Sequence, residues 1–252
     1  MTDIFFLQRK KAFVSGGSRG LGREMALTLA EASADVVLAS RNIEGLNETA
    51  SLIQRMGREA FVCPMDITKL DDIERAVGDA IAAFGRIDIL INNSGIAGEA
   101  SVGEITEEKW DQVMDVNLKG HVFCTKAVGR HMIANQYDKI INIGSIVGII
   151  PMIYSSTYGV AKAGLILFTK TLGLEWARYN IQANALCPGY FLTDLNRDFF
   201  QTPAGQKVIN KIPVRRVADP REIRGVTLLL ASDASSFMTG SVIVVDGGHI
   251  LG

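Results

Sequence analysis

Seven short apolar runs, separated by stretches long enough for a crossover helix, constrain this 252-residue chain more than any other feature. They are Ala12-Phe13-Val14, Val36-Val37-Leu38-Ala39, Phe61-Val62-Cys63, Ile87-Asp88-Ile89-Leu90-Ile91, Ile140-Ile141-Asn142-Ile143, Ile181-Gln182-Ala183-Asn184-Ala185-Leu186 and Val242-Ile243-Val244-Val245. A strand covered on both faces has no polar side to show, so it reads as a continuous apolar run; helical segments between such runs imply parallel pairing. Apolar spacings of three and four predict helices over 21–32, 43–57, 70–84, 106–133, 157–178 and 220–231. The fold class is therefore α/β, a doubly wound parallel sheet of about seven strands flanked by helices. No linker, repeat or charge block divides residues 1–252, so one domain is expected, with a less regular insertion at about 190–213 read as a lid over the substrate.

The first strand runs into Ser15-Gly16-Gly17-Ser18-Arg19-Gly20-Leu21-Gly22, a glycine-rich turn that opens a helix. Without side chains the backbone approaches a pyrophosphate closely, and the free N–H groups and positive end of the helix stabilise the anion. Gly16, Ser18, Arg19, Gly20, Leu21 and Gly22 are thus expected to bind a dinucleotide, although the spacing is GxxxGxG and not GxGxxG. An NAD-preferring fold carries an acid at the end of its second strand to hold both ribose hydroxyls. This chain has Ser40-Arg41-Asn42 there, and Arg19 in the phosphate loop supplies a second guanidinium for a 2′-phosphate, so NADP(H) is expected over NAD(H). Asp66 and Ile67 follow the third strand, where Asp66 either accepts a hydrogen bond from the adenine amino group or caps the next helix.

Tyr158 and Lys162 stand four residues apart on a predicted helix and so share one face. An ammonium beside a phenol in a dry site stabilises phenolate; lowering a tyrosine from about 10 by three units takes roughly 4 kcal/mol. The pair is read as a proton donor with its acidifying partner. Composition removes other classes: 26 Lys and Arg against 27 Asp and Glu give a net charge of −1, with no global pull toward nucleic acid or anionic membranes. Cys63, Cys124 and Cys187 are odd in number and set among apolar residues, which suits reduced core thiols and the cytoplasm. The start lacks a signal-peptide pattern and no apolar run reaches a membrane span, so no membrane association is expected. His121, His131 and His249 are isolated and read as surface or satisfied core residues, with no metal required.

Taken in order, these motifs resemble the short-chain dehydrogenase/reductase family over essentially the whole chain. Ser15 to Gly22 is similar to its TGxxxGxG, Asn92-Asn93-Ser94-Gly95 to its NNAG, and Ser145, Tyr158 and Lys162 to its catalytic serine and YxxxK. Asn117 falls at its fourth catalytic position, and Pro188-Gly189 with Thr193 resembles the segment that contacts nicotinamide. The resemblance implies a Rossmann-like fold, cofactor contacts from Asn93, Tyr158, Lys162, Pro188, Gly189 and Thr193, and a homotetramer. It implies that Tyr158 protonates a carbonyl oxygen, Ser145 orients it, and Lys162 lowers the Tyr158 pKa and bonds the ribose. Asn117 would hold the arrangement through which Lys162 regains a proton. Ser15 and Ser94 depart from the family's threonine and alanine. The expected activity is that of a carbonyl reductase, interconverting a ketone and a secondary alcohol. Apolar Met152, Ile153, Tyr154, Tyr190, Phe191 and Leu192 are read as a substrate wall favouring neutral ketones. Alternatives are a 3-oxoacyl-thioester reductase, for which Arg215, Arg216 and Arg221 would serve an acyl carrier, a keto-sugar-acid reductase, a lyase or epimerase, and a catalytically silent NADP-binding sensor.

Overall fold

The seven apolar runs become seven strands: β1 (Lys11–Ser15), β2 (Asp35–Ser40), β3 (Ala60–Pro64), β4 (Ile89–Asn92), β5 (Asp138–Ile143), β6 (Ile181–Pro188) and β7 (Val242–Val245). A computed structural model describes residues 3–193 and 196–252 of the chain. All strand pairs are parallel, in the order β3-β2-β1-β4-β5-β6-β7.

Alternation along the strands splits the apolar side chains between two faces. Ala12, Val14, Val36, Leu38, Ile89 and Ile91 pack with α1 (Gly20–Glu31), α2 (Ile43–Arg55) and, later in the chain, α9 (Arg224–Ala231). Phe13, Val37, Leu90 and Ile140 pack on the opposite face with α3 (Leu70–Phe84), α5 (Gly120–Asn135) and α6 (Ser156–Trp176). Because β1 lies between β2 and β4, the chain leaves β1 toward one face and β4 toward the other. Their C-terminal loops diverge and leave a crevice at that switch point.

Two helices differ from the sequence reading. The predicted helix over 106–133 is α4 (Glu107–Met114) and α5, joined by a π-helical turn at Asp115–Lys119. Asn117 sits in that turn, and its side chain bonds outside its own helix, to the backbone of Ile96. The predicted helix over 220–231 begins as a 3₁₀ turn, Pro220–Ile223, fixed by an Asp219–Glu222 capping box, before α9.

The insertion over 190–213 contains α7 (Arg197–Gln201) and α8 (Pro203–Ile209), with Phe200 and Ile212 buried; residues 194 and 195 lie outside the described residues. A buried hydrogen-bonded ladder ties β4 and β5 to α5 and α6 on the second face. Asn92 Nδ2 donates to Thr125 Oγ1 and Asn142 Oδ1, both at 2.8 Å, and Asn142 Nδ2 donates to Thr169 Oγ1 at 2.9 Å.

Candidate active site

The loops after β1 and β4 meet through side chains that the sequence motifs single out. Ser15 Oγ accepts the backbone N–H groups of Asn93 at 3.0 Å and Ser94 at 3.2 Å, so serine performs this tie without the threonine methyl. Asn93 Nδ2 reaches back to the carbonyls of Ser15 and Gly16 at 3.3 and 3.2 Å. Gly16 has φ +70°, and a Cβ at Gly22 would fall 2.1 Å from the Gly16 carbonyl oxygen, so a side chain at Gly22 forces the turn apart.

Beside this turn lies a cavity of about 620 Å³ lined by Gly16, Ser18, Arg19, Gly20, Leu21 and Gly22, then by Ser40, Arg41 and Asn42 from the end of β2. Asp66, Ile67, Asn93 and Thr193 of the expected set are also on its wall, while Tyr158, Lys162, Pro188 and Gly189 are not. Met65, Ser94, Gly95, Ile96 and Val116 also line it; sequence reasoning does not assign them, although Ser94 and Gly95 belong to a motif it recognises. The cradle therefore fits a dinucleotide, with a close-approach turn and the cationic side chains of Arg19 and Arg41 on its wall.

Some expected cofactor residues have a structural partner. Asn42 Oδ1 caps α2 by accepting the Gly45 N–H at 3.1 Å. Asp66 Oδ1 accepts the backbone N–H of Thr68 at 3.1 Å and its hydroxyl at 2.8 Å, a turn that precedes α3 without capping it, since the N-cap position is Lys69 and has no side-chain cap bond. Pro188 and Gly189 end β6 and are not on the cavity wall; the Gly189 N–H is bonded to Val245 O at 2.9 Å.

Ser145 follows β5 and accepts the Val147 N–H at 3.2 Å, while Tyr158 and Lys162 project from the start of α6. Lys162 is buried, donates to the Ile143 carbonyl at 2.8 Å, and lies 5.7 Å from the centre of the Tyr158 ring. Burial pushes its ammonium down to about 8, against a smaller opposing pull from Cys187. The expectation that Lys162 acidifies Tyr158 fails for the chain by itself. Burial raises the phenol above its ordinary value, and the opposing influence is a hydrogen bond with Ser145. The physical reason is that desolvation acts on both groups and favours their neutral forms.

Asn117 is buried beside them. Its Nδ2 donates to Ile96 O and Val113 O, both at 3.0 Å, and its Oδ1 accepts the Ile96 N–H at 3.2 Å. A Cβ at Gly95 would sit 3.0 Å from that Oδ1 and 4.0 Å from Lys162 Nζ, so Asn117 holds the β4 loop directly against the lysine.

The substrate wall is corrected in one member. Phe191 is buried in the core and bridged to Ala218, so it faces away from the cleft. Ile153 and Tyr154 are exposed, Tyr154 with φ +64°, and the Tyr190 hydroxyl donates to Met152 Sδ at 3.4 Å. The Tyr190 ring stands edge-on to Phe200 and His249 at 5.6 and 5.4 Å between centres. The three cysteines are free and buried, as the sequence suggests. His131 is exposed, but His121 and His249 each bury an Nδ1 without a partner among the described residues, so neither is a fully satisfied core histidine.

A dinucleotide cradle at the switch point of a doubly wound sheet, with a serine, tyrosine and lysine beside it, defines a nicotinamide-dependent oxidoreductase. The chain belongs to the short-chain dehydrogenase/reductase family: the model described as enoyl-(acyl carrier protein) reductase matches residues 16–249. It is 36% identical over 250 residues to a 2-dehydro-3-deoxy-D-gluconate 5-dehydrogenase of Escherichia coli K12, covering 98% of each chain. To a 3-oxoacyl-[acyl-carrier-protein] reductase of Thermotoga maritima it is 34% identical, covering 97% of this chain and 99% of that protein. The crystal structure of a gluconate 5-dehydrogenase from Burkholderia cenocepacia, in complex with NADP and tartrate, superposes with TM-score 0.95 at 36% identity, covering 99% and 98% of the two chains. The chain is an NAD(P)-dependent oxidoreductase acting on CH–OH groups, and it interconverts a ketone and a secondary alcohol.

Proposed function

We propose that this enzyme prefers NADP(H) and uses Tyr158 as proton donor, Ser145 as carbonyl anchor, and Lys162 and Asn117 as the supporting charge and scaffold. The observation that carries the cofactor preference is the lining of the cavity near the end of β2. Arg19 and Arg41 both line it beside Ser40, and neither is paired with a carboxylate among the described residues. Two uncommitted guanidiniums fit a phosphate monoester, whereas a ribose diol needs an acceptor that β2 does not offer.

When bound, the nicotinamide supplies or takes the hydride. Ser145 donates a hydrogen bond to the carbonyl oxygen as negative charge gathers on it, and Tyr158 gives that oxygen its proton. The phenol's raised pKa keeps the proton in place until the oxyanion forms. Lys162, protonated below about pH 8, stabilises the phenolate left behind and bonds the ribose hydroxyls. In the reverse direction Tyr158 accepts the proton from the alcohol.

Two features favour a free carbonyl compound over a carrier-bound thioester. Arg216 is held by both oxygens of Glu222 at 2.5 and 2.7 Å, and Arg221 by Asp219 at 3.0 and 3.1 Å, so these cations are engaged within the chain. Ile153, Tyr154 and Tyr190 give the cleft an apolar rim suited to a ketone, while the dehydrogenase relatives keep keto-sugar acids as the second reading. Exposed Val160, Leu167 and Leu174 on one face of α6, with exposed Phe237 and Leu251 flanking β7, support a homotetramer. Three free thiols support a cytoplasmic location, and among the described residues no helix is long and apolar enough to cross a membrane.

The test is initial-rate kinetics over a ketone and alcohol panel with both cofactors, repeated with Tyr158→Phe. Comparable kcat/KM for NADPH and NADH sinks the cofactor preference. Near-parental reduction by Tyr158→Phe removes the proposed acid, and NADPH binding without turnover on any carbonyl favours the silent sensor.

A further inference from the structure

His121 is completely buried one turn beyond Asn117, in the first turn of α5, and its Nε2 lies 2.7 Å from the carbonyl oxygen of Ser94. That carbonyl belongs to the β4 loop lining the cofactor cavity. Since a carbonyl only accepts, Nε2 must carry the hydrogen, which leaves Nδ1 as a bare acceptor. Nδ1 is buried and has no partner among the described residues. Leaving a buried polar atom unpaired costs free energy, so a hydrocarbon side chain would serve packing alone better. The Ser94 bond is the return for that cost.

The loop is then held from three directions. Ser15 Oγ accepts the Ser94 N–H, Asn117 bonds both the N–H and the carbonyl of Ile96, and His121 holds the Ser94 carbonyl between them. Between the two bonded residues lies Gly95, the point at which the loop comes against Lys162. Asn117 and His121 are four residues apart across the π-helical turn, so that turn aims two side chains at successive parts of one loop. Burial and the neighbouring Lys162 ammonium hold the imidazole neutral, at about 3, so the clamp adds no second cation beside the lysine.

We propose that His121 is a positioning residue: as a neutral Nε2–H donor it fixes the Ser94 carbonyl and thereby sets the β4 loop that lines the cofactor cavity and abuts Lys162. The inference rests on the cofactor reading above, and it predicts a binding effect that needs no turnover.

The experiment compares His121→Gln with His121→Asn. Glutamine places an amide N–H about where Nε2 stands and is neutral at every pH; asparagine has the same chemistry but falls one carbon short. NADPH affinity is read by fluorescence titration, and kcat and KM are read separately. The expected result is His121→Gln within about twofold of the parent in Kd and kcat/KM, and His121→Asn weakened by about tenfold or more, the loss that goes with one buried hydrogen bond. Equal behaviour of the two variants, or a glutamine variant as impaired as asparagine, overturns the proposal. If His121→Asn does not fold, nitrogen NMR of the parent's imidazole decides. An Nε2–H tautomer that stays uncharged to about pH 4.5 upholds it, and an Nδ1–H tautomer or protonation near pH 6 overturns it. Failure of the cofactor reading looks different, because the parent itself would then not bind NADPH.

Discussion

Asp138 begins β5 at the end of the sheet away from the cofactor crevice, completely buried, with neither carboxylate oxygen bonded among the described residues. Burial, reinforced by the neighbouring Asp88 charge, raises it from 3.8 to about 8; Arg86 and Lys10 oppose this weakly. The sign follows from proton linkage. Below about pH 4 the group is neutral in both folded and unfolded chains and costs nothing. Between about 4 and 8 the unfolded chain ionises while the folded chain keeps its proton, so stability falls as pH rises, and above about 8 the loss is constant. At pH 7 the gap from 3.8 is about 3.2 units, which at about 1.4 kcal/mol per unit is a penalty of about 4 kcal/mol. An asparagine at this position would be neutral throughout, at the pH-independent cost of one more buried donor than a neutral carboxyl brings. Relative to the parent, Asp138→Asn is therefore expected to gain about 4 kcal/mol of stability between pH 4 and pH 7, on top of that constant cost. Urea unfolding of both proteins at pH 4, 5.5, 7 and 8.5 gives the difference directly, and subtracting the parent cancels the contribution of Lys139, buried next in sequence. A difference that does not change with pH refutes the reasoning, because it would show that Asp138 is ionised in the native state.

Four other outcomes follow from the same geometry. Activity in the reductive direction should decline above about pH 8 as Lys162 loses its proton, and a pH–kcat profile flat to about pH 10 would contradict this. Gly22→Ala places a methyl into the Gly16 carbonyl and should abolish detectable NADPH binding in a fluorescence titration. Arg41→Ala should lower kcat/KM for NADPH by about tenfold or more while leaving NADH within about twofold, as measured by initial rates. Gly129→Ala drives a Cβ to 2.2 Å from the Trp176 ring where α5 meets α6, and denaturant unfolding should show a loss of about 1–3 kcal/mol.

The parts of this fold legible in the sequence are those where one local cause suffices. Apolar runs such as Ile89-Leu90-Ile91 became central strands because a two-sided sheet leaves no polar alternative, and the glycines of the phosphate loop became a cavity wall because their missing side chains are the function. What escaped depends on partners far along the chain. Nothing near residue 117 announces a π-helical turn, whose Asn117 side chain bonds to Ile96, 21 residues away. Phe191 looks like substrate wall beside Tyr190 and Leu192, but its pairing with Ala218 turns it into the core.

The pKa relation between Tyr158 and Lys162 escapes the sequence for a related reason. Four-residue spacing fixes which face two side chains share, while the sign of each shift depends on how dry that face is. The structure makes it dry, so burial raises the phenol and lowers the ammonium. Under the roles proposed above, a donor whose proton is held until negative charge appears on the substrate oxygen, beside a lysine poised close to neutrality, would suit transfer in either direction. That is the demand made by reversible exchange between a ketone and an alcohol, and the proposed roles meet it without requiring a strongly acidic tyrosine.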